Sequence, residues 1–309
     1  MITIYKNSEK GLMVLSEPIT GCWINVIDPT PEEINYLEGL GFYRDHLTSP
    51  LDLDERARTE REDSTHLIIL RIPYYQGHEA DVPYITIPLG IILTDQYILT
   101  ICKRDNLILK EIAHGHVRGL SVSKRYRFTL RILLSTAQHY LAYLREINKV
   151  VDALEDQLQL STRNKEVLEL LKYQKSLTYF TTSLKSNELM MERLQRSQLF
   201  NTYPEDEDLL EDVLTENRQA IEMTNISSNI LSNMMDAFAS IISNNLNRVM
   251  KFLASITIVL NLPIIVASFY GMNVELPLQH QPYAFAFTMV VSFLITLVAI
   301  IVFAKRDWF

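Results

Sequence analysis

Two stretches of this sequence carry no charged residue and no histidine, and they limit what the chain can become. Phe252–Tyr270 runs for 19 residues and Tyr283–Ala304 for 22 without Asp, Glu, Lys, Arg or His. A bilayer core of ~30 Å is crossed by about 20 apolar residues in helix, so both runs predict transmembrane helices. Most of the remaining chain precedes them. The expected architecture is a large polar body attached to a two-helix membrane hairpin.

Charge predicts the orientation. Arg248 and Lys251 precede the first run, and Lys305 and Arg306 follow the second. The intervening stretch from Gly271 to Pro282 has no Lys or Arg, only Glu275 and His280. Cytoplasmic flanks collect cations, so both termini are expected in the cytoplasm, the loop outside and the protein in the cell membrane. The start, from Met1 to Lys6, has no signal-peptide pattern, which keeps the body on the side where it is made. The net charge of −8 argues against a nucleic-acid partner. Cys22 and Cys102 lie in apolar runs and read as buried thiols, not as a disulfide or a metal site.

The first hundred residues read as α/β. Cys22–Ile27 is a predicted strand, followed by a helix start at Asp28-Pro-Thr-Pro-Glu-Glu33. There Thr30 caps, Pro31 takes the first turn and Glu33 completes a capping box. Gly39 and Gly41 end that helix. Ser49-Pro50-Leu51-Asp52 reads as a second start of the same kind. Leu67–Ile72, Ile85–Leu93 and Tyr97–Cys102 are further strands, the last two joined by a Thr94-Asp95-Gln96 turn. Their weak alternation predicts a sheet covered on both faces.

From Lys124 the period becomes helical. Tyr126–Leu160 and Glu166–Phe200 form an expected antiparallel pair, with breaks at Ser161-Thr162-Arg163-Asn164 and Asn201-Thr202-Tyr203-Pro204. A third helix starts at Glu205 and meets no breaker before Pro263. If continuous to Tyr270 it measures roughly 100 Å and needs partners along its length, which favours self-association. The acidic run Glu205–Asp208 suits a helix start, where the dipole favours anions. The expected domains are an α/β part over 1–122, a helical pair over 123–203, and a stalk helix over 204–270 that becomes the first span at 252. A loop over 271–282, the second span over 283–304 and a basic tail over 305–309 complete the chain.

Counted back from the membrane in steps of 3 and 4, one stripe of the third helix includes Asp212, Asn229, Asp236, Ser240, Asn247, Met250, Thr257, Asn261 and Ser268. Most of the stripe is polar or small, whereas a tight coiled coil would place Leu and Ile there. Such a seam suits helices that surround water. The alternative is that Thr257 and Asn261 bond a neighbouring helix as structural glue.

Directly after the first span comes Tyr270-Gly271-Met272-Asn273. In that place the motif resembles the signature of the CorA family of magnesium and divalent-cation channels. The resemblance covers the whole chain and includes Asn247-Arg-Val-Met-Lys-Phe-Leu253 and the basic-aromatic end Lys305-Arg-Asp-Trp-Phe309. It implies an α/β cytoplasmic domain, a long helical stalk and two C-terminal transmembrane helices assembled as a homopentameric funnel that carries Mg²⁺ inward. It also implies that Gly271, Met272 and Asn273 form the selectivity filter. Gly271 would let the backbone turn, and Met272 would pack beneath the loop. Met250 and Leu253 would form a hydrophobic gate, with Asn247 below them and Asp236 at the inner mouth, while Thr257 and Asn261 line the pore. Asp212 matches a stalk aspartate that helps bind a regulatory Mg²⁺ between cytoplasmic domains. Its partner is guessed as Asp81, with Asp52 and Asp54 as rivals.

Other readings stay open. A zinc transporter of the same superfamily would share Gly-Met-Asn, although Zn²⁺ favours His or Cys, which the seam lacks. A membrane-anchored sensor that conducts nothing is the other alternative. An enzyme is not expected, because no Gly-rich phosphate loop, Gly-x-Ser-x-Gly or His-Glu-x-x-His occurs. His114 and His116, beside Gly115 and Gly119, read as surface histidines.

Overall fold

The computed structural model describes residues 1–8, 11–115, 121–160, 164–197, 199–200, 203–274, 276–278, 280–306 and 308, with the side chains of 158–160 and 164–166 outside that description. Expectations for residues 161–163, His116, Gly119, Asn201, Thr202, Glu275, Asp307 and Phe309 therefore fall outside the described residues. The chain divides into two compact units, Met1–Met235 and Asp236–Phe309.

The first unit holds a mixed seven-stranded sheet: β1 Ile2–Ser8, β2 Gly11–Leu15, β3 Cys22–Ile27, β4 Arg58–Glu62, β5 Thr65–Tyr75, β6 Tyr84–Leu93 and β7 Tyr97–Cys102. Their order is β2-β1-β3-β7-β6-β5-β4, with β3 and β7 parallel and the other neighbours antiparallel. Side chains alternate across a strand, and in β3, β5, β6 and β7 both sets are buried. Trp23, Ile68, Leu70 and Leu89 enter one core, while Cys22, Ile24, Leu67 and Ile69 enter the other. The central strands are thus covered on both faces, which explains the weak alternation in their sequence. Both cysteines are buried and free. Burial pushes the Cys102 thiol up to about 11, so it stays protonated and unreactive.

One layer is made by helices α1 (Pro31–Gly39) and α2 (Arg44–Thr48), through Ile34, Leu37 and Leu47. The α1 start has the expected capping box: Glu33 N–H donates to Thr30 Oγ1 at 3.3 Å, and Thr30 N–H donates to Glu33 Oε2 at 2.9 Å. Ser49-Pro50-Leu51 is not a helix start. It is a 3-10 turn that continues from α2, with no side-chain cap, and its buried Pro50 presses on β6. A Cβ added at Gly90 would lie 2.4 Å from Pro50 Cγ, so a glycine is required there for the close approach.

The other layer is made by α3 (Leu107–Ala113), α4 (Arg125–Leu160), α5 (Asn164–Arg196) and the start of α6 (Pro204–Tyr270). Ring pairs Tyr126–Phe200 and Tyr140–Phe180 show that α4 and α5 run antiparallel. The acidic start of α6 does more than complement the dipole. Asp206 is 2% exposed and accepts from Arg127 Nε at 2.6 Å, while Glu205 meets Arg127 at 2.7 Å. This pair ties α6 to α4, and Leu209, Leu210, Val213 and Leu214 then join the core.

The second unit contains the rest of α6 and α7 (Ala284–Lys305). Both are long and apolar enough to cross a membrane.

Candidate ion pathway

Within the second unit, α6 presents two distinct faces. Ser255, Val259, Leu262, Pro263, Val266 and Tyr270 are buried or half-buried, at helical spacings of 3 and 4. This face looks at α7. Pro263, Ala267 and Tyr270 share a cavity of about 700 Å³ with Phe285, Thr288 and Ser292 of α7. Ser255 meets the backbone of Trp308, beyond the end of α7.

At ~100° per residue, Thr257, Asn261 and Ser268 lie about 160–200° round the helix from that face. All three are exposed. The Thr257 hydroxyl donates to Leu253 O on its own helix at 2.8 Å. The polar side chains therefore do not glue α6 to the second apolar helix of the same chain. They point away from it, as do Ile264 and Met250. Met250 is 59% and Leu253 53% exposed. Asp236 and Asn247 are also exposed on α6.

The end of α6 is closed by Gly271 N–H donating to Ala267 O at 2.9 Å and Met272 N–H donating to Phe269 O at 3.2 Å. Asn273 follows these bonds and is exposed. Gly271 lies in the turn that ends α6, with its backbone outside the left-handed region. Among the described residues of this loop, Leu278 has a positive φ, at +68°. Met272 is 50% exposed within one chain.

Asp212 lies on the exposed side of α6 in the first unit, one residue before buried Val213. Asp81 is exposed in the turn between β5 and β6, and Asp52 and Asp54 are exposed after the 3-10 turn. Asp52 Oδ1 accepts from the Asp54 backbone at 3.0 Å. Among the described residues no group of three or more His, Cys, Asp or Glu is placed to hold a metal ion within one chain. His114 caps the C-terminal end of α3, exposed, with Nδ1 2.6 Å from Lys110 O.

Residues 20–306 match the family model described as CorA-like Mg²⁺ transporter protein. The chain belongs to this CorA-like family. It is 30% identical over 298 residues to the cobalt/magnesium transport protein CorA of Methanocaldococcus jannaschii, covering 93% of this chain and 90% of that protein. To the protein of the same description from Thermotoga maritima it is 24% identical over 318 residues, covering 97% of this chain and 86% of the other. Among solved structures, the complete CorA magnesium transporter from Methanocaldococcus jannaschii superposes with a TM-score of 0.86 at 26% identity, over 100% of this chain and 99% of that one. The CorA architecture of an N-terminal α/β part, a long helix and two C-terminal apolar helices is therefore that of this chain.

Sequence reasoning missed Ser255 as a contact between α6 and the tail. The signal was present: of the four Ser, Thr and Asn residues in the first span, Ser255 alone falls off the polar stripe. The Arg127–Asp206 pair had no such signal, since nothing in the spacing of residues 127 and 206 links them.

Proposed function

We propose that this CorA-family chain is a divalent-cation channel. It assembles as a homopentamer in the cell membrane, with both termini cytoplasmic, and passes Mg²⁺ inward. One observation carries the reading: in the middle of an apolar helix, Thr257 and Asn261 face away from α7 and are exposed. Polar groups at bilayer depth face protein or water. Copies of α6 arranged around an axis provide that water, and put α7 on the outside.

Mg²⁺ holds its octahedral waters tightly, so stripping them in a narrow pore is slow. A ring of Asn273 amide oxygens accepts hydrogen bonds from those waters and selects the ion hydrated. The ring is neutral, so release is not held back by a carboxylate. No pump is needed, because a 2+ ion gains ~4.6 kcal/mol on entering across 100 mV, inside negative.

Further in, rings of Met250 and Leu253 close the pore by dewetting. Asn247 and Asp236 form polar and acidic rings towards the cytoplasm. Intracellular Mg²⁺ bound between neighbouring subunits by Asp212 and an N-terminal acid, Asp81 in this reading, favours the closed state and so regulates entry. The test is rescue of a Mg²⁺-requiring strain. The wild-type chain restores growth, and Asn273→Ala abolishes rescue while inserting normally into the membrane. Rescue by that variant removes the filter role from Asn273.

A further inference from the structure

Ser255 stands apart from the other polar residues of the first span. It is 0% exposed, and among the described residues beyond Phe238 no other is buried. Its hydroxyl has one proton to donate and two carbonyls in reach: Lys251 O on its own helix at 2.6 Å, and Trp308 O in the C-terminal tail at 3.3 Å.

The tail reaches Ser255 because α7 ends in a tight turn. Arg306 N–H donates to the carbonyls of Val302 and Phe303 at 3.2 Å, and Trp308 N–H donates to Phe303 O at 3.1 Å. These bonds satisfy the last carbonyls of the helix. The Trp308 ring stacks on Phe303, with centroids 5.3 Å and planes 10° apart. Capping explains the turn. It does not explain why the turn is delivered to the only buried position on this part of α6.

Ser255 lies two residues from Leu253 and five from Met250, about 3 and 7.5 Å along the helix, and both point about 140–160° away from it. The tail thus grips the back of the segment whose front carries the proposed gate. We propose that the Trp308 tail is a strap, with Ser255 as its positioning residue, that holds the gate segment against α7 and stabilises the closed pore. This inference rests on the channel reading above. Turning α6 to move Met250 and Leu253 off the axis carries Ser255 away from Trp308. The bond can be given up cheaply: the hydroxyl keeps the Lys251 carbonyl, and Trp308 is half-exposed, so water can serve its carbonyl.

Two measurements on the full-length protein test the strap. In inside-out membrane patches, Mg²⁺ current is recorded while Mg²⁺ on the cytoplasmic face is titrated. Ser255→Ala, which keeps the size of the site, should raise the concentration for half-closure about threefold to tenfold, and Trp308→Ala should do the same. In liposomes, acrylamide quenching reads the strap directly. The chain has two tryptophans, and Trp23 is 0% exposed, so the quenchable emission is that of Trp308. Ser255→Ala should increase quenching. A half-closure concentration within twofold of wild type in conducting patches, or unchanged quenching, overturns the proposal. If wild-type patches carry no Mg²⁺ current, the channel reading fails on its own account, and quenching alone then decides whether the strap exists.

Discussion

Asn187 of α5 does for Arg71 of β5 what a neighbouring strand would do. Its Oδ1 accepts from Arg71 N–H at 2.9 Å, and its Nδ2 donates to Arg71 O at 2.8 Å. The need arises because β4 pairs with β5 only as far as Ile69. Beyond it the strand has lost a partner while remaining under the helices. Tyr140 OH adds a second bond to Arg71 O at 3.0 Å.

Asn187 is fully buried, so the loss of its amide leaves a buried N–H without an acceptor. Asn187→Leu, similar in volume, should therefore destabilise the first unit by about 2–4 kcal/mol. Tyr140→Phe should cost less, because Arg71 O keeps one donor. Thermal unfolding of the full-length protein in detergent ranks the two. Equal effects would show that Asn187 acts only through packing.

Gly90 marks where the 3-10 turn touches the sheet. Gly90→Ala places a Cβ against the Pro50 ring and also 2.9 Å from Ile101 Cγ2, so the sheet or the turn must move. Overpacking of this kind typically costs about 1–3 kcal/mol. Replacing Pro50 by Ala in the same chain should recover part of the loss, which a double-mutant cycle reads as coupling.

The first unit should lose stability in mild acid through His66. Burial holds its pKa below 6.5, and the nearby Arg61 and Arg125 cations depress it further. The sign follows from linkage. The unfolded chain binds the proton more readily, so stability is full above about 6.5 and falls as pH drops from there towards the folded pKa. His66→Gln should flatten this limb of the melting-temperature profile and leave values above pH 7 largely unchanged. A parallel downward shift at every pH would assign His66 a packing role instead.

The two faces of α6 make opposite predictions for water access. A cysteine at Asn261 or Thr257 should react with a charged, membrane-impermeant thiol reagent in the assembled protein, and Mg²⁺ flux should fall. A cysteine at Val259, on the face towards α7, should react at least about tenfold more slowly. The native thiols are buried and give a low background. Equal rates at 261 and 259 would end the case for a wet stripe.

Much of this was legible before any coordinates. Hydropathy alone marks the spans, because backbone in lipid must satisfy itself and 20 apolar residues suffice. The α1 start was readable because its cap, first-turn proline and Glu33 are local in sequence. The central strands β3, β5, β6 and β7 were readable because they are continuously apolar. The edge strands β2 and β4, and β1 beside β2, were not: β4 is Arg-Thr-Glu-Arg-Glu, which has no apolar face and is a strand only because β5 pairs with it. Ser49-Pro50 carried a helix-start pattern, but α2 already precedes it, so the proline finishes a turn and packs on Gly90.

For the candidate pathway, the sequence by itself determined which residues share a stripe of α6, since the helical period converts spacing into direction. It could not say what that stripe faces. Only the tertiary structure decided that α7 packs on the opposite side, leaving Thr257 and Asn261 exposed and taking Ser255 to the tail. The physical reason is that a helix fixes neighbours three and four residues apart, whereas contacts such as Ser255–Trp308 and Arg127–Asp206 join residues that no local period relates.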